Sequence, residues 1–186
     1  MVTTTDTTEI VTQAKIEAVN QPSFKRWLKH FLYMPATKRY FSKQDQVAIS
    51  QAVAEAEHDH VGEIQVVIEG HLPVKQVYFQ NTRMRARQLF AELGVWDTEY
   101  NSGVLLYINL CERKVEIVID RGIQQATEQA IWDEICQNII AQLAQKQFRL
   151  AVVTGVMNIG KVLNRFYTHS VQKQNNELGD EPIILR

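Results

Sequence analysis

Cysteine is scarce in this chain of 186 residues, with Cys111 and Cys136 the whole complement. Two thiols make neither a disulfide framework nor a CxxC pair. Each is expected to sit as a small core hydrophobe in a reducing compartment. An excess of one charge is missing too. The 20 basic and 21 acidic residues leave a net charge of −1, which favours neither nucleic acid nor an acidic substrate. No apolar run approaches the roughly 18 residues of a membrane-spanning helix. The opening MVTTTDTTEI lacks the basic start and apolar stretch of a secretory leader, so the expected location is cytoplasmic, at most peripheral to a membrane. The eight glycines are scattered and build no P-loop, dinucleotide fingerprint or GxSxG elbow.

What is present centres on VWDTEYNSGVLLYINLCERKVEIVIDRGI, residues 95–123. Val104–Ile108 and Val115–Ile119 are short apolar, β-branched runs bounded by turn formers, so both read as strands. The tight link Leu110–Arg113 predicts an antiparallel hairpin. The first strand is almost wholly apolar and is expected to be buried on both faces. In such a hairpin the start of one strand lies beside the end of the other. Asp97, Glu99, Asn101 and Asp120 are therefore expected at one sheet edge. Carboxylates converging there repel unless a cation or shared proton intervenes, and an all-oxygen set suits Ca²⁺, Mg²⁺ or Mn²⁺. A polar loop that merely caps the sheet is the competing reading.

The same stretch, with Trp96-Asp97-Thr98-Glu99, Asn101, Gly103-Val104-Leu105, Arg113, Val115–Val118 and Asp120-Arg121-Gly122-Ile123, resembles the TPM-domain family. It resembles in particular a short bacterial branch without membrane spans. Gly62-Glu63-Ile64, Trp132 with Ile135-Cys136, and Asn176-Glu177-Leu178 with Asp180 extend the likeness over residues 38–186. Gly179 stands where the branch pattern has proline, and Tyr100 where it has histidine. The resemblance implies a three-layer α/β/α sandwich with one central mixed sheet. It also implies one of two roles. The first is a non-catalytic accessory or interaction module that binds a divalent metal such as Ca²⁺ or Mg²⁺. The alternative is a metal-assisted hydrolase such as a weak acid phosphatase.

The remaining sequence predicts an N-terminal extension (1–37), an α/β domain (38–168) and a docked tail (169–186). Residues 10–19 have helical character, and Pro22 can open a helix. Phe24, Trp27, Leu28, Phe31 and Leu32 then fall on one helical face, with Lys25, Arg26, Lys29 and His30 on the other. The apolar face is expected to dock on its own domain. A protein partner or an anionic membrane surface through Phe24–Met34 is the alternative. Ser42 and Asp45 predict a capping box for a helix over 42–58, followed by the strand 63–69. His58 and His60 invite a metal reading, but a cation at a helix C-terminus is the blander account.

A helix over 76–93, ending at Gly94, places Phe79, Arg83, Ala86 and Phe90 in one arc, with Arg85 pointing away. Arg83 would then need an anionic partner, Glu63 or Asp120, or a ligand. Two amphipathic helices over 129–145 and 148–167 follow, and Gly155 and Gly160 are expected to let the second approach the sheet. Pro182–Leu185 is apolar enough to dock. The candidate ligand-binding residues are thus Glu63, Arg83, Asn101 and Arg121, with Asp97, Glu99 and Asp120 as metal ligands.

Overall fold

The computed structural model describes residues 24–33, 40–73, 75–167 and 176–185. The expected helix over 10–19, Pro22 and Met34 lie outside them. The elements run α1 (Phe24–Leu32), α2 (Lys43–Glu57), β1 (Glu63–Glu69), α3 (Thr82–Glu92), β2 (Gly103–Asn109), β3 (Lys114–Ile119), α4 (Arg121–Ala126), α5 (Gln129–Ala144), α6 (Phe148–Phe166) and β4 (Ile183–Leu185).

The strands form one mixed sheet in the order β3-β2-β1-β4. β1 is parallel to β2 and to β4, and β2 pairs antiparallel with β3, Asn109 facing Lys114 across the 110–113 turn. The tail therefore docks as an edge strand, with Val67 in register with Ile183. β1 and β2 are buried at every position. Side chains alternate between faces along a strand. Ile64, Val66, Ile68, Val104, Leu106, Ile108, Val115, Ile117 and Ile119 enter the larger core with residues of α2, α5 and α6. Val67, Leu105, Tyr107 and Val118 face the other way and pack with Ala86, Leu89 and Phe90 of α3. Helices on both faces give the expected three-layer α/β/α sandwich.

Local chemistry sets the boundaries. The Ser42 hydroxyl accepts the Asp45 N–H, and the Asp45 carboxylate accepts the Ser42 N–H, closing the predicted capping box. Gly94 ends α3's turn with φ of 68°. α3 begins later than the 76–93 periodicity implies, because the Asn81 side chain caps it by accepting the Met84 N–H. Residues 75–79 form turns instead, and Phe79 is exposed. This shift re-phases the helix. Thr82, Arg85, Ala86, Leu89 and Phe90 are buried, while Arg83 is only half-buried. Gly155 and Gly160 do allow close approach, but to neighbouring helices rather than the sheet. A Cβ at Gly155 would meet Ile139 of α5 at 2.5 Å, and one at Gly160 would meet Ala56 of α2 at 2.7 Å.

Helix α1 reverses its expected orientation. Its polar side binds the domain. Arg26 Nε and His30 Nε2 contact the Glu112 carboxylate at 2.9 and 2.5 Å, with Lys29 at 3.8 Å. His30, buried, accepts the Leu72 N–H on Nδ1, so Nε2 carries the proton that Glu112 receives. Arg26 also donates to the carbonyls of Val77 and Gln80. Phe24, Leu28, Phe31 and Leu32 face outward. Directional bonds to one partly buried carboxylate have outweighed apolar burial on this short helix.

Two outcomes follow from this packing. A Cβ at Gly103 would sit 1.8 Å from the Val95 carbonyl oxygen. Backbone cannot swing aside, so Gly103→Ala is expected to cost about 3 kcal/mol, read as a lowered thermal midpoint. Burial acts to raise the Glu112 pKa, but the bonds from His30 and Arg26 and the Lys29 charge lower it to about 2 from an ordinary 4.5. A depressed carboxylate stabilises the fold above its unfolded pKa and stops doing so as it protonates in the folded state. Helix α1 is therefore expected to stay docked above about pH 4.5 and to loosen as pH falls toward 2, read by a Trp27 fluorescence change that Glu112→Gln shows already at neutral pH.

Candidate functional site

Topology brings two polar clusters to opposite edges of the sheet. The first lies at the amino ends of β1, β2 and β4 and the carboxyl end of β3. Asp120 follows β3 directly and caps α4, accepting the Arg121 N–H on Oδ1 at 2.6 Å. Its other oxygen, Oδ2, is buried and has no hydrogen-bond partner. Burial pushes the Asp120 pKa up, partly offset by the Arg121 N–H and charge. The Tyr167 hydroxyl is also buried without a hydrogen-bond partner. Burial, and then the Asp120 charge, raise it to about 12. A Cβ on Gly122 would meet the Asn101 carbonyl oxygen at 2.7 Å, Tyr167 Oη at 2.8 Å and the Tyr100 carbonyl oxygen at 3.2 Å. The Tyr100 and Asn101 carbonyls and the Tyr167 hydroxyl thus close on Gly122, where no side chain would fit.

The other expected members are spread around this point. Asn101 is exposed and left-handed, with φ of 50°, which turns its carbonyl toward Gly122. Asp97, Glu99 and Arg121 are exposed. The Glu99 N–H donates to the Glu177 carboxylate, so the tail folds over the acidic loop. Glu63 is buried and accepts the Leu178 N–H, anchoring the same tail. Among the described residues no three His, Cys, Asp or Glu side chains gather as a set able to hold a metal ion. His58 and His60 diverge. His58 is exposed against Asp59, while His60 is buried and accepts the Gly62 N–H.

The second cluster fills the sheet face beneath α3. Arg85, not Arg83, enters it, because α3 starts at Thr82. Arg85 donates through Nε and Nη2 to Glu69 Oε1 at 3.2 and 3.0 Å. Tyr107 donates to Glu69 Oε2 at 2.5 Å, and Asn109 Nδ2 donates to the Tyr107 oxygen. Burial, followed by the Glu69 charge, pushes the Tyr107 pKa well up. Thr82 donates to Glu116 at 2.6 Å, and the Glu116 charge also acts on Arg87. Glu69, Tyr107 and Asn109 lie near the carboxyl ends of β1 and β2, where open parallel sheets usually place ligands. Their hydrogen bonds are mutual, so the cluster as it stands holds α3 to the sheet. The signal for it was visible in the sequence. Glu63, Gln65 and Glu69, like Tyr107 and Asn109, recur at the two-residue period of one strand face.

The cysteines carry no sign of catalysis. Both are buried, and burial chiefly raises the Cys111 thiol to about 11. Trp132 is core, its indole N–H donating to Thr127.

Truncating one member of a buried ion pair leaves a charge without compensation. Arg85→Ala is expected to destabilise the protein by about 3–5 kcal/mol, and the double variant Glu69→Leu/Arg85→Ala to lose clearly less than the two single losses added. Denaturant titration of all three proteins reads both.

The comparisons agree with this architecture. The family model described as the TPM domain matches residues 36–162. No curated protein matches the chain. Among solved structures, the chain resembles the BA42 protein of the psychrophilic bacterium Bizionia argentinensis. The TM-score is 0.68 at 24% identity, with 77% of this chain and 94% of that one covered. It also resembles the N-terminal domain of a protein from P. gingivalis, with a TM-score of 0.57 at 16% identity, covering 70% of this chain and 82% of that one. At these identities the two likenesses speak for the fold alone. With the family model spanning most of its length, the chain belongs to the TPM-domain family.

Proposed function

We propose that this protein is a non-catalytic accessory module that binds a hard divalent cation, Ca²⁺ or Mg²⁺, at the strand edge beside Asp120. The observation that carries the reading is the Asp120 Oδ2 atom, buried and without a hydrogen bond, two residues before the Gly122 backbone on which three further oxygen atoms close. A buried carboxylate oxygen without a donor is costly. A cation would supply what the surrounding acceptors cannot. Carboxylate, carbonyl and hydroxyl oxygens are the donors hard cations prefer. Asp120 would be the anionic ligand, the Tyr100 and Asn101 carbonyls neutral ones, and the exposed Asp97 and Glu99 would act through water and charge rather than as direct ligands. Glu63, through Leu178, keeps the tail over the site. A bound cation would lock the 97–101 loop, α4 and the tail together, so occupancy would be felt as local order rather than as chemistry.

An accessory role also requires a partner surface. The outward side of α1 is the one we assign to it.

The test uses the sign of the Asp120 shift. A raised carboxylate pKa means that folding favours the protonated form, so its stabilising contribution is lost as pH rises through that pKa. Metal-free Asp120→Asn is therefore expected to melt no lower than wild type at neutral pH, since Asn keeps the Oδ1 cap. Ca²⁺ or Mg²⁺ is expected to raise the wild-type midpoint by several degrees and to leave the variant unmoved. Equal shifts in both proteins, or none, would remove the cation reading. Phosphomonoester turnover that requires the metal and disappears in Asp120→Asn would favour the hydrolase alternative instead.

A further inference from the structure

Helix α1 spends its polar side on the domain and shows its apolar side to solvent. Phe24 is 64% exposed, Phe31 59% and Leu32 64%, with Leu28 beside them. Trp27 lies between the two phenylalanines, its ring 5.6 Å from Phe24 and 5.1 Å from Phe31 and nearly parallel to both. Phe79, 60% exposed, stands in the adjoining turn, whose Val77 and Gln80 carbonyls Arg26 holds. Apolar surface gathered on one side in this way marks an interaction site.

Charge is segregated along the strand direction, although the total is near zero. Asp97, Glu99, Asp120, Glu177 and Asp180 collect at the amino ends of the parallel strands, with Arg121 among them. The carboxyl-end edge carries α1, the 75–80 turn and the β2–β3 hairpin tip. There Lys25, Lys75 and Arg113 are exposed and Lys29 half-exposed. The one acid at that tip, Glu112, is already engaged by Arg26, Lys29 and His30. No described helix is long and apolar enough to cross a membrane.

We propose that the outward side of α1, together with Phe79, seats the protein on an anionic lipid bilayer. The inference rests on the reading of this side as a partner surface and not on the cation site. Aromatic side chains prefer the interfacial layer of a bilayer, and a helix lying in that layer buries its apolar side among the headgroups while flanking lysines meet anionic lipid. The bonds to Glu112 fix the helix with its aromatic stack outward before any lipid is met. The ordering cost usual for an interfacial peptide is thereby reduced. A symmetric pair of chains fits less well. It would bring Lys25, Lys75 and Arg113 of one copy against the same residues of the other.

The experiment is flotation of the full chain with phosphatidylcholine vesicles, with and without phosphatidylglycerol. Wild type is expected to float with the anionic vesicles, less with the neutral ones, and less again at high salt. Phe24→Ser/Phe31→Ser is expected to lose about tenfold in partitioning. Its thermal midpoint should stay unchanged, because both side chains are exposed. Lys25→Glu/Lys75→Glu is expected to lose the preference for anionic lipid. Wild type that does not float, or floats equally with the double serine variant, overturns the proposal. Sedimentation velocity then separates the two readings. A dimer dispersed by Phe24→Ser/Phe31→Ser would give the surface to a second copy, ending the lipid proposal while keeping a partner surface.

Discussion

Burying β1 and β2 along their whole length means covering the sheet twice, and most of the molecule answers to that constraint. The face toward α2, α5 and α6 is apolar at every inward position and is held chiefly by burial, with Glu57 of α2 also accepting the Ile64 N–H. The face toward α3 is mixed. Three carboxylates on it, Glu63, Glu69 and Glu116, are almost wholly out of solvent. Each such group needs a partner, because a desolvated charge left alone is far costlier than a missing contact. Arg85, Tyr107 and Thr82 bond to Glu69 and Glu116, and the Leu178 backbone bonds to Glu63. The position of α3, and the return of the tail across the sheet, follow from those bonds.

Asp120 is the exception to this rule of satisfied burial. One oxygen caps α4 and the other bonds to nothing. That unbonded oxygen sets Asp120 apart from the other buried carboxylates of the sheet. Its surroundings, carbonyls and a hydroxyl, are the kind of oxygen donors that the proposed cation would use. The site's address is unusual for an open α/β sheet. It stands at the amino ends of the parallel strands, so it owes nothing to the crevice that βα connections normally open at the other end.

The two edges of the sheet therefore have different characters. The acidic edge is joined by loop, α4 and tail. The basic edge is joined by α1 through the Glu112 carboxylate and through backbone bonds to Leu72, Val77 and Gln80. In a chain with a net charge of −1, these described residues divide acid from base along the strands, and composition cannot report this. Only after folding do residues far apart in sequence, such as Lys25, Lys75 and Arg113, share one end.

The sequence by itself determined the first three strands, the hairpin, the capping box at Ser42, the turn at Gly94 and the family, while the tail was expected only to dock and forms a fourth strand. Those depend on local patterns, period two or period 3.6 with their punctuating residues, and nothing distant needed to be known. It also placed Asp120 and Asn101 at one edge, because a hairpin makes that neighbourhood local. Three outcomes belonged to the tertiary structure. Arg85 replaced Arg83 on the buried face, because Asn81 capped the helix five residues beyond its periodic start and left Phe79, which had marked the expected face, in a turn. Tyr167 reached Asp120 only because α6 returns to the edge that β3 leaves. Helix α1 turned its aromatic face outward, since Glu112, more than eighty residues away, offered its basic side a bond stronger than the burial its apolar side could find. Periodicity shows which residues share a face of an element. It does not show which face the rest of the protein will hold.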